Sequence, residues 1–448
     1  MHAPAARPPS PPSPRPWPRS PRPSPPPRRR PPTPPPRTPG WRPRTPPNFD
    51  DKAGGSANAD DPAIWNHPSD RRGDLVIGTL KKAGLAVYDT AGNEIQRLPA
   101  PAAPAAGDSP GRFNNVDVVY GWKLGGRKVD VAVVSDRGRD TIRTYVIDPA
   151  AARAHQAPLT DVTVPSAPPV FSSSAAEVNE QRTAYGLAAW KGDDGVPYVA
   201  VSRRNTTRVG LFRLVATADG KVGYAPVRNV DLPASFALPN GGTWAPCEEP
   251  GEDPQVEGMV GDPEHGVLYA AQEDVGIWRI PLGGGRPALV DRVKGYGVPS
   301  AYDPQTEECH VTGADPGYGG KNLTADAEGL TIYAKDDGEG YLLASSQGDN
   351  TFVAYDREDG NDYLGRFRIA PGTSVDGSEE CDGAMVTSAP VGDFKHGLLV
   401  VQDGFNAPDE TGADGAVRTN TNFKFVDWRE VAEPLDLDVA PGDWDPRD

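Results

Sequence analysis

Two series of polar residues recur six times along this 448-residue chain, always in the same order. In the first series an acidic or polar residue leads into a short apolar run, at intervals of 54 to 72 residues; the members are Asp61, Asp117, Tyr185, Glu257, Glu328 and Asp382. Each member of the second series stands at the end of another apolar run, 16 to 21 residues after the corresponding member of the first series. The members are Lys82, Arg137, Arg204, Glu273, Gln347 and Asp403. Each then enters a strand of alternating pattern such as LAVYD or TFVAYD, which is typical of β-structure. This order predicts one structural unit used six times.

The repeated unit has the order of strands and turns expected of a propeller blade. It contains an acid-tipped strand, a return strand, a polar corner and a third strand, with room for a fourth. Fifty Gly and 52 Pro against three Met favour many short strands and turns over helices. Two β-sandwiches would not explain the shared order of elements. We therefore predict an all-β fold, a six-bladed β-propeller forming a single domain at residues 51–435, followed by a flexible C-terminal tail at 436–448.

The amino-terminal segment has a different composition. Residues 1–48 contain 22 Pro and ten Arg but no acidic residue, so they cannot bury apolar surface, and residues 1–50 are predicted to be a disordered Pro/Arg-rich tail. The rest of the chain then carries 36 basic residues against 62 acidic ones. A surface so acidic repels nucleic acid and anionic lipid, so neither is an expected partner. No apolar stretch approaches 18 residues, and none is expected to cross a membrane.

The two series are expected to meet on one face of the propeller. In an antiparallel meander the start of one strand and the end of the next lie at the same sheet edge. Carboxylates of the first series would therefore crowd the central channel, where like charges need a compensating cation. Calcium prefers such oxygen ligands, whereas six His without an HxH or HExxH spacing supply zinc poorly. Lys and Arg at the corners of blades one to three would face this acidic arc and hold phosphate oxygens.

Nucleophilic alternatives are poorly represented in the sequence. It contains no GxSxG elbow and no P-loop. Attack by a calcium-activated water on a phosphate ester is consistent with the residues present. Cys247 and Cys309 lie in long Gly/Pro-rich insertions, so either a disulfide braces two loops or all three cysteines, including Cys381, are free thiols.

The motifs resemble those of the β-propeller phytases over about residues 57–430. They are ADDPAIW, TLKKAGLAVYD, NNVDVVYG, VEGM, QEDVGIW, EGLTIY, YLLASSQGDNTFVAYDR and NTNFKFVDW. The resemblance implies several calcium ions, some structural and some catalytic, and stepwise removal of phosphate from calcium-bound phytate, myo-inositol hexakisphosphate. It also implies a secreted monomer, although no signal peptide is visible in the sequence.

The resemblance assigns roles to individual residues. Those implied to hold active-site calcium are Asp60, Asp61, Glu257, Glu273, Asp326, Glu328 and Asp376. Tyr185 is implied to lie beside this calcium, and the catalytic set would comprise Asp60, Asp61, Glu257, Tyr185 and Glu273. The implied phosphate ligands are Lys81, Lys82, Arg137 and Arg204. Other calcium sites or the channel would use Asp382, Asp403 and Asn406.

The sequence departs from the phytase pattern at two places, and two other functions are alternatives to a phytase. Gln272 stands where the family usually has a second Glu, which predicts weaker calcium binding, and Arg203-Arg204 replaces a Gly-Lys pair. A calcium-dependent propeller lactonase or phosphotriesterase would share the fold and metal but not the basic arc. A non-catalytic extracellular propeller would use calcium only for stability.

Overall fold

A computed structural model describes residues 43–49, 57–358, 360–372, 375–412, 414–442 and 444–447. The described residues form six four-stranded antiparallel sheets and two two-stranded hairpins. The all-β, six-bladed propeller predicted from the sequence is confirmed. In the described part of the chain, no helix is long and apolar enough to span a bilayer.

The strands follow one another blade by blade. The amino-terminal strand is β1 (Asn48–Phe49). Blade one contains β2 (Pro62–Trp65), β3 (Leu75–Thr79), β4 (Leu85–Asp89) and β5 (Glu94–Leu98). Blade two contains β6 (Phe113–Leu124), β7 (Arg127–Asp136), β8 (Thr141–Ile147) and β9 (Leu159–Asp161). Blade three contains β10 (Ala184–Lys191), β11 (Pro197–Arg203), β12 (Arg208–Ala216) and β13 (Val222–Asp231).

The second half of the chain adds the hairpins. The first hairpin is formed by β14 (Phe236–Ala237) and β15 (Thr243–Trp244). Blade four contains β16 (Val256–Asp262), β17 (Val267–Gln272), β18 (Gly276–Pro281) and β19 (Ala288–Arg292). The second hairpin is formed by β20 (Ser300–Asp303) and β21 (Glu308–Val311). Blade five contains β22 (Ala327–Ala334), β23 (Gly340–Ser346), β24 (Thr351–Asp356) and β25 (Tyr363–Phe367). Blade six contains β26 (Ala384–Thr387), β27 (Leu398–Thr411) and β28 (Val417–Asp427).

Short helices occupy some of the connections. The α-helices are α1 (Pro149–Arg153), α2 (Ala175–Asn179) and α3 (Trp428–Leu435). Single 3-10 turns lie at Arg71–Gly73, Asp336–Gly338 and Gln347–Asp349. Trp428 begins α3 and stacks on Tyr333 of blade five, with ring centroids 4.2 Å apart, which packs α3 against the propeller.

The first strand of every blade lines the central channel. Each of these strands, β2, β6, β10, β16, β22 and β26, contacts the first strand of both neighbouring blades. The ring is closed because β26 also contacts β2. Side chains at the starts of these strands therefore converge on one axis, which is the arrangement that the first series predicted.

A strand from the amino-terminal segment completes blade six. Asn48 and Phe49 pair with Thr421 and Asn420, so β1 becomes the outer strand of blade six. The backbone of Phe425 also donates to the Pro43 carbonyl. The structure thus differs from the predicted disordered segment at residues 43–49, because blade six needs a fourth strand that its own segment does not supply. The other residues of that segment, 1–42 and 50, lie outside the described residues.

The chain after α3 also contacts the propeller. The backbone N–H of Asp438 donates to the Tyr341 hydroxyl, and that of Ala440 donates to the Tyr333 hydroxyl. The Arg447 guanidinium contacts a carboxylate oxygen of Asp130 at 2.6 Å. These contacts fall within the segment that the sequence analysis assigned to a flexible tail.

In blades two to five, a β-bulge lies at the start of the first strand and contains the polar residue. The register shifts at Asn114-Asn115, Tyr185-Gly186, Glu257-Gly258 and Glu328-Gly329 in blades two to five, and such bulges re-aim side chains. A Cβ on Gly258 would lie 2.2 Å from the Glu328 carbonyl oxygen. Glycine is therefore required there, because the backbones of successive blades approach too closely for a side chain.

The bulges correct one member of the first series. In blade two the equivalent position is Asn114, not Asp117. Asp117 lies three residues farther along β6, where its carboxylate accepts from the backbone N–H groups of Val118 and Ala189. It therefore links blade two to blade three instead of entering the central group.

Candidate active site

Three buried carboxylates converge at the mouth of the channel. Glu257 and Glu328 occupy the bulges that open β16 and β22, and Glu273 follows the end of β17. One oxygen from each lies within 4.8 Å of the other two. Two oxygens that each lie roughly 2.4 Å from one divalent ion can be at most about 4.8 Å apart, so this spacing suits a single cation.

The hydrogen bonds of these carboxylates leave oxygens available. Glu257 accepts from the Tyr185 hydroxyl and, at 2.6 Å, from the Asn114 amide. One oxygen of Glu273 accepts from the Gln255 amide at 3.0 Å. The other oxygen of Glu273 and Oε2 of Glu328 are buried without a hydrogen-bond partner among the described residues. Because buried polar atoms are normally satisfied, these two oxygens fit a bound cation.

Asp60 and Asp382 extend the group across blades one and six. Asp60 contacts the Lys81 ammonium through one oxygen, and its other oxygen is buried without a described partner. Asp382 lies 3.5 Å from the same ammonium and accepts from the Gln347 amide at 2.7 Å. Lys81 is thus a counterion of the acidic group in this structure, and its role as a phosphate ligand stays a prediction. Asp61 accepts from the Val116 backbone N–H at 2.9 Å.

Burial controls the proton affinity of this group. Desolvation is the largest cause that raises the pKa of Asp60, Asp61, Glu273 and Glu328 well above their ordinary values. Repulsion by neighbouring carboxylates adds to the shift, including that of Glu257 on Glu273 and Glu328. Burial also raises the pKa of Asp326, with Glu257 and Asp382 as further causes. Ionisation of all these carboxylates together is therefore unfavourable, and a bound cation would offset their mutual repulsion.

The predicted cations lie on the blade-two and blade-three side. The Arg137 guanidinium lies over the Tyr185 ring, 5.3 Å from its centroid. Burial lowers the pKa of Arg137, and Arg204 and Arg112 lower it further by repulsion. Lys82 is exposed. Arg137 therefore lies beside the Tyr185–Glu257 pair, and Arg204 acts electrostatically on Arg137. That both residues bind phosphate stays a prediction.

Asp376, Asp403 and Asn406 form a different cluster. Their oxygens surround the fully buried ammonium of Lys424, which contacts Asp403 at 2.9 Å and Asn406 at 2.6 Å. The Asp376 carboxylate accepts from the Ala407 backbone N–H as well. Among the described residues these three are grouped around Lys424 and not with the Glu257 group, which departs from the expectation for Asp376.

The hydrogen bonds of Gln272 explain why this position carries an amide where the family usually has a second Glu. Its amide donates to the carbonyls of Pro254 and Pro233, and its oxygen accepts from the Trp278 indole at 2.9 Å. A carboxylate would lose both donor contacts. Gln272 therefore anchors the loop before β16, and its predicted effect on calcium binding stays a prediction.

The sequence analysis missed two residues near the acidic group. Asn114 is amidic and so has no charge to mark it, yet it contacts Glu257. Glu248 belongs to the insertion before blade four, where burial raises its pKa to about 8, with repulsion by Asp274 as the next cause. Only the fold brings that insertion to the acidic face.

A disulfide braces the two insertions. Cys247 and Cys309 are bonded, with Cα atoms 6.0 Å apart. Cys381 is buried and has no disulfide partner among the described residues. Of the two alternatives that the sequence left open, the structure therefore contains the disulfide, which joins the loop carrying Glu248 to the β20–β21 hairpin.

Comparison with known proteins decides the family. The family model described as Phytase matches residues 45–235 and 252–448. The chain belongs to the phytase family. It is 33% identical over 392 residues to the 3-phytase of Bacillus subtilis (strain 168), covering 86% of this chain and 83% of that protein. The phytase assignment made from the motifs is thereby confirmed, and the alternative functions are not favoured.

One solved structure was also compared with this phytase. A crystal structure of BBS1N in complex with ARL6DN, soaked with lead, covers 80% of this chain and 77% of its own at 9% identity, with a TM-score of 0.38. A similarity this low carries no argument. The insertion at residues 236–251 falls outside the family match, so the loop with Cys247 and Glu248 is an addition to the matched sequence.

The raised pKa values predict how stability depends on pH in the metal-free enzyme. A carboxyl whose folded-state pKa exceeds its unfolded value stabilises the fold below the unfolded pKa, and this contribution is lost as pH rises through the folded pKa. The pKa values of Asp274 and Glu248, about 7 and about 8, place the upper end of that window near neutral pH. We expect the Tm of the metal-free enzyme to decrease as the pH is raised from about 5 to about 9. With calcium present, the Tm should decrease less over the same range. A metal-free Tm that rises over this range would contradict the argument.

Proposed function

We propose that this phytase removes phosphate stepwise from phytate and requires calcium held by the acidic group. The observation that supports this most is the contact between the two halves of the site: Tyr185 donates to Glu257 while Arg137 lies over the Tyr185 ring. A cation-binding centre and a phosphate-binding arc thus share one residue. This arrangement suits a substrate that is both polyanionic and in need of electrophilic activation.

The residues proposed to hold calcium are Asp60, Glu257, Glu273, Glu328 and Asp382, with Asp61 and Asp326 beside them. When bound, calcium would neutralise charge on the reacting phosphate and activate the attacking water. The new P–O bond forms to water, and the P–O bond to the inositol oxygen breaks, releasing inorganic phosphate and an inositol hydroxyl.

The protein's own groups prepare this centre. Burial raises the pKa of Tyr185 well above its ordinary value, with Glu257 as the next cause, so its hydroxyl proton stays in place at neutral pH and fixes the Glu257 carboxylate. Carboxylates held in this way keep their geometry when a ligand arrives. Lys81 neutralises Asp60 from within the protein. The arginines attract the phosphates that surround the one being cleaved.

The same proposal includes an extracellular location and a monomeric state for the enzyme. A disulfide between the two insertions suits an oxidising, extracellular compartment. Millimolar calcium is available there. Blade six is completed by β1 of the same chain, and we propose that the enzyme acts as a monomer on a small-molecule substrate.

The test is release of inorganic phosphate from phytate at pH 7, with calcium and after chelation. We expect release only with calcium and its return when calcium is restored. A folded enzyme that hydrolyses phytate equally well after exhaustive chelation would overturn the calcium requirement. A calcium-stabilised protein that releases no phosphate would overturn the substrate assignment.

A further inference from the structure

One glutamine side chain connects blade three to the acidic group in blade four. Gln255 lies immediately before β16. Its side-chain oxygen accepts from the Asn205 backbone N–H at 2.8 Å, and its amide nitrogen donates to Oε2 of Glu273 at 3.0 Å. A backbone N–H only donates and an ionised carboxylate only accepts, so the two partners determine which end of the amide faces each of them. Gln255 therefore bridges the turn after β11 and the end of β17.

The blade-three end of this bridge is firmly held. Asn205 is buried and has a φ of 55°, a left-handed conformation that Asn adopts more readily than most residues. Its side chain donates to Glu252, and its carbonyl accepts from the Asp253 N–H at 3.3 Å. Together with the bond to Gln255, three hydrogen bonds join Asn205 to the loop at 252–255. The oxygen of the Gln255 amide thus has a fixed partner.

The blade-four end of the bridge uses one oxygen of Glu273 and leaves the other uncommitted. Oε1 of Glu273 is buried without a hydrogen-bond partner among the described residues. One oxygen of Glu273 also lies within 4.8 Å of an oxygen of Glu257 and of Glu328. A glutamate side chain loses rotamer freedom when it is fixed, and a donor on one oxygen supplies that restraint before a cation arrives.

The donor to Glu273 is neutral, unlike the donor to Asp60. Asp60 accepts from the Lys81 ammonium, whose positive charge offsets that of the carboxylate. The Gln255 amide restrains Glu273 without offsetting its charge, so this carboxylate keeps its full attraction for a cation.

The backbone around Gln255 is anchored independently of its side chain. The Gln255 carbonyl accepts from the Glu273 N–H at 3.2 Å, and the Pro254 carbonyl accepts from the Gln272 amide at 2.8 Å. Truncating the Gln255 side chain leaves both of these bonds in place. The variant therefore removes the bridge and keeps the loop.

We propose that Gln255 is a positioning residue for calcium, which holds Glu273 with one oxygen free to bind the cation beside Glu257 and Glu328. The inference rests on the proposed function, since it presumes that the acidic group holds calcium. The effect of Gln255 is exerted through Glu273 and not by direct contact with calcium or phytate. Residues that support a metal ligand in this way typically contribute about 10–100-fold to metal affinity.

The experiment is a double-mutant cycle in the full chain, read out as calcium affinity. Calcium is titrated calorimetrically into the unaltered enzyme, Gln255→Ala, Glu273→Gln and the double variant, and the binding step that Glu273→Gln weakens is followed. We expect Gln255→Ala to bind calcium about 10-fold more weakly at this step. In the Glu273→Gln background the same change should cost less than about 2-fold, because the carboxylate that Gln255 positions is gone.

Gln96→Ala is the matched control. The Gln96 side chain is also half-buried and also makes two hydrogen bonds between blades: it accepts from the Leu159 N–H at 2.8 Å and donates to the Leu159 carbonyl at 3.0 Å. These bonds join the outer strands β5 and β9. Without metal, the two alanine variants should unfold at similar urea concentrations. Only Gln255→Ala should show a smaller increase in Tm when calcium is added.

These outcomes separate this inference from the proposed function. Weaker calcium binding by Gln255→Ala, absent in the Glu273→Gln background, supports the inference even if phytate is not hydrolysed. Equal calcium affinity of Gln255→Ala and the unaltered enzyme overturns it, as do losses that add in the double variant. A Glu273→Gln enzyme that binds calcium normally would overturn the metal assignment itself, and this inference with it. If Gln255→Ala fails to fold, Gln255→Met, which keeps the length of the side chain without its hydrogen bonds, takes its place.

Discussion

Glu257→Gln is expected to lower kcat for phytate by at least about 100-fold while leaving the metal-free protein as stable as the unaltered enzyme or more so. Replacing residues that only support a metal ligand already costs about 10–100-fold, and Glu257 belongs to the carboxylate group itself. Stability should not fall, because the amide has nearly the same shape and removes a charge that repels Glu273 and Glu328. The Tyr185 hydroxyl can turn its proton and accept from the new amide.

The two effects are measured as steady-state phosphate release and as urea unfolding without metal. Glu264→Gln is the matched control, because Glu264 lies in the turn after β16 of the same blade and pairs with Arg357 at 3.0 Å. It should keep its activity. Calcium should raise the unfolding midpoint of Glu257→Gln less than that of the unaltered enzyme. A variant with full activity, or one whose metal-free fold is severely weakened, would show that Glu257 has a structural role instead.

Lys424→Met is expected to destabilise the fold by about 3–5 kcal/mol, the usual cost of removing one partner from a buried ion pair. The Lys424 side chain is completely buried, and its ammonium contacts Asp376, Asp403 and Asn406. Methionine fills a similar volume but removes the ammonium that contacts Asp403 and Asp376, and Asp376 then keeps only the more distant Arg44 guanidinium, 3.8 Å away, among the described cations. Burial already raises the pKa of Asp403, and Lys424 is the largest influence that opposes this shift.

The contrast is Lys294→Met. Lys294 contacts Asp349 at 2.8 Å, but its side chain is 39% exposed, and pairs at that exposure contribute about 0–1 kcal/mol. Urea unfolding of both variants, with and without calcium, separates the two situations. If calcium restores Lys424→Met alone, the oxygens of this cluster can accept a cation once the ammonium is gone. Equal losses in the two variants would contradict the buried-pair argument.

Much of the fold was predictable because a propeller is built from one local unit. The order of acid, apolar strand, polar corner and alternating strand repeats without reference to distant contacts, and so six blades could be counted from the sequence. The antiparallel meander then placed both polar series at one edge, which brought Glu257, Glu273 and Glu328 together in prediction as in the structure. Arg137 and Arg204 followed from the same rule.

The tertiary structure decided what depends on contacts between blades and loops. A bulge selects Asn114 over Asp117 in blade two, although Asn114 does not stand out locally. Lys424 lies on the last strand, and only folding brings its ammonium to Asp376, a residue predicted to be a metal ligand. The disulfide and Glu248 likewise depend on two insertions meeting across the face. The sequence determined the repeat and its charges because these are periodic and local, whereas the partners of each charge were determined by closure of the ring.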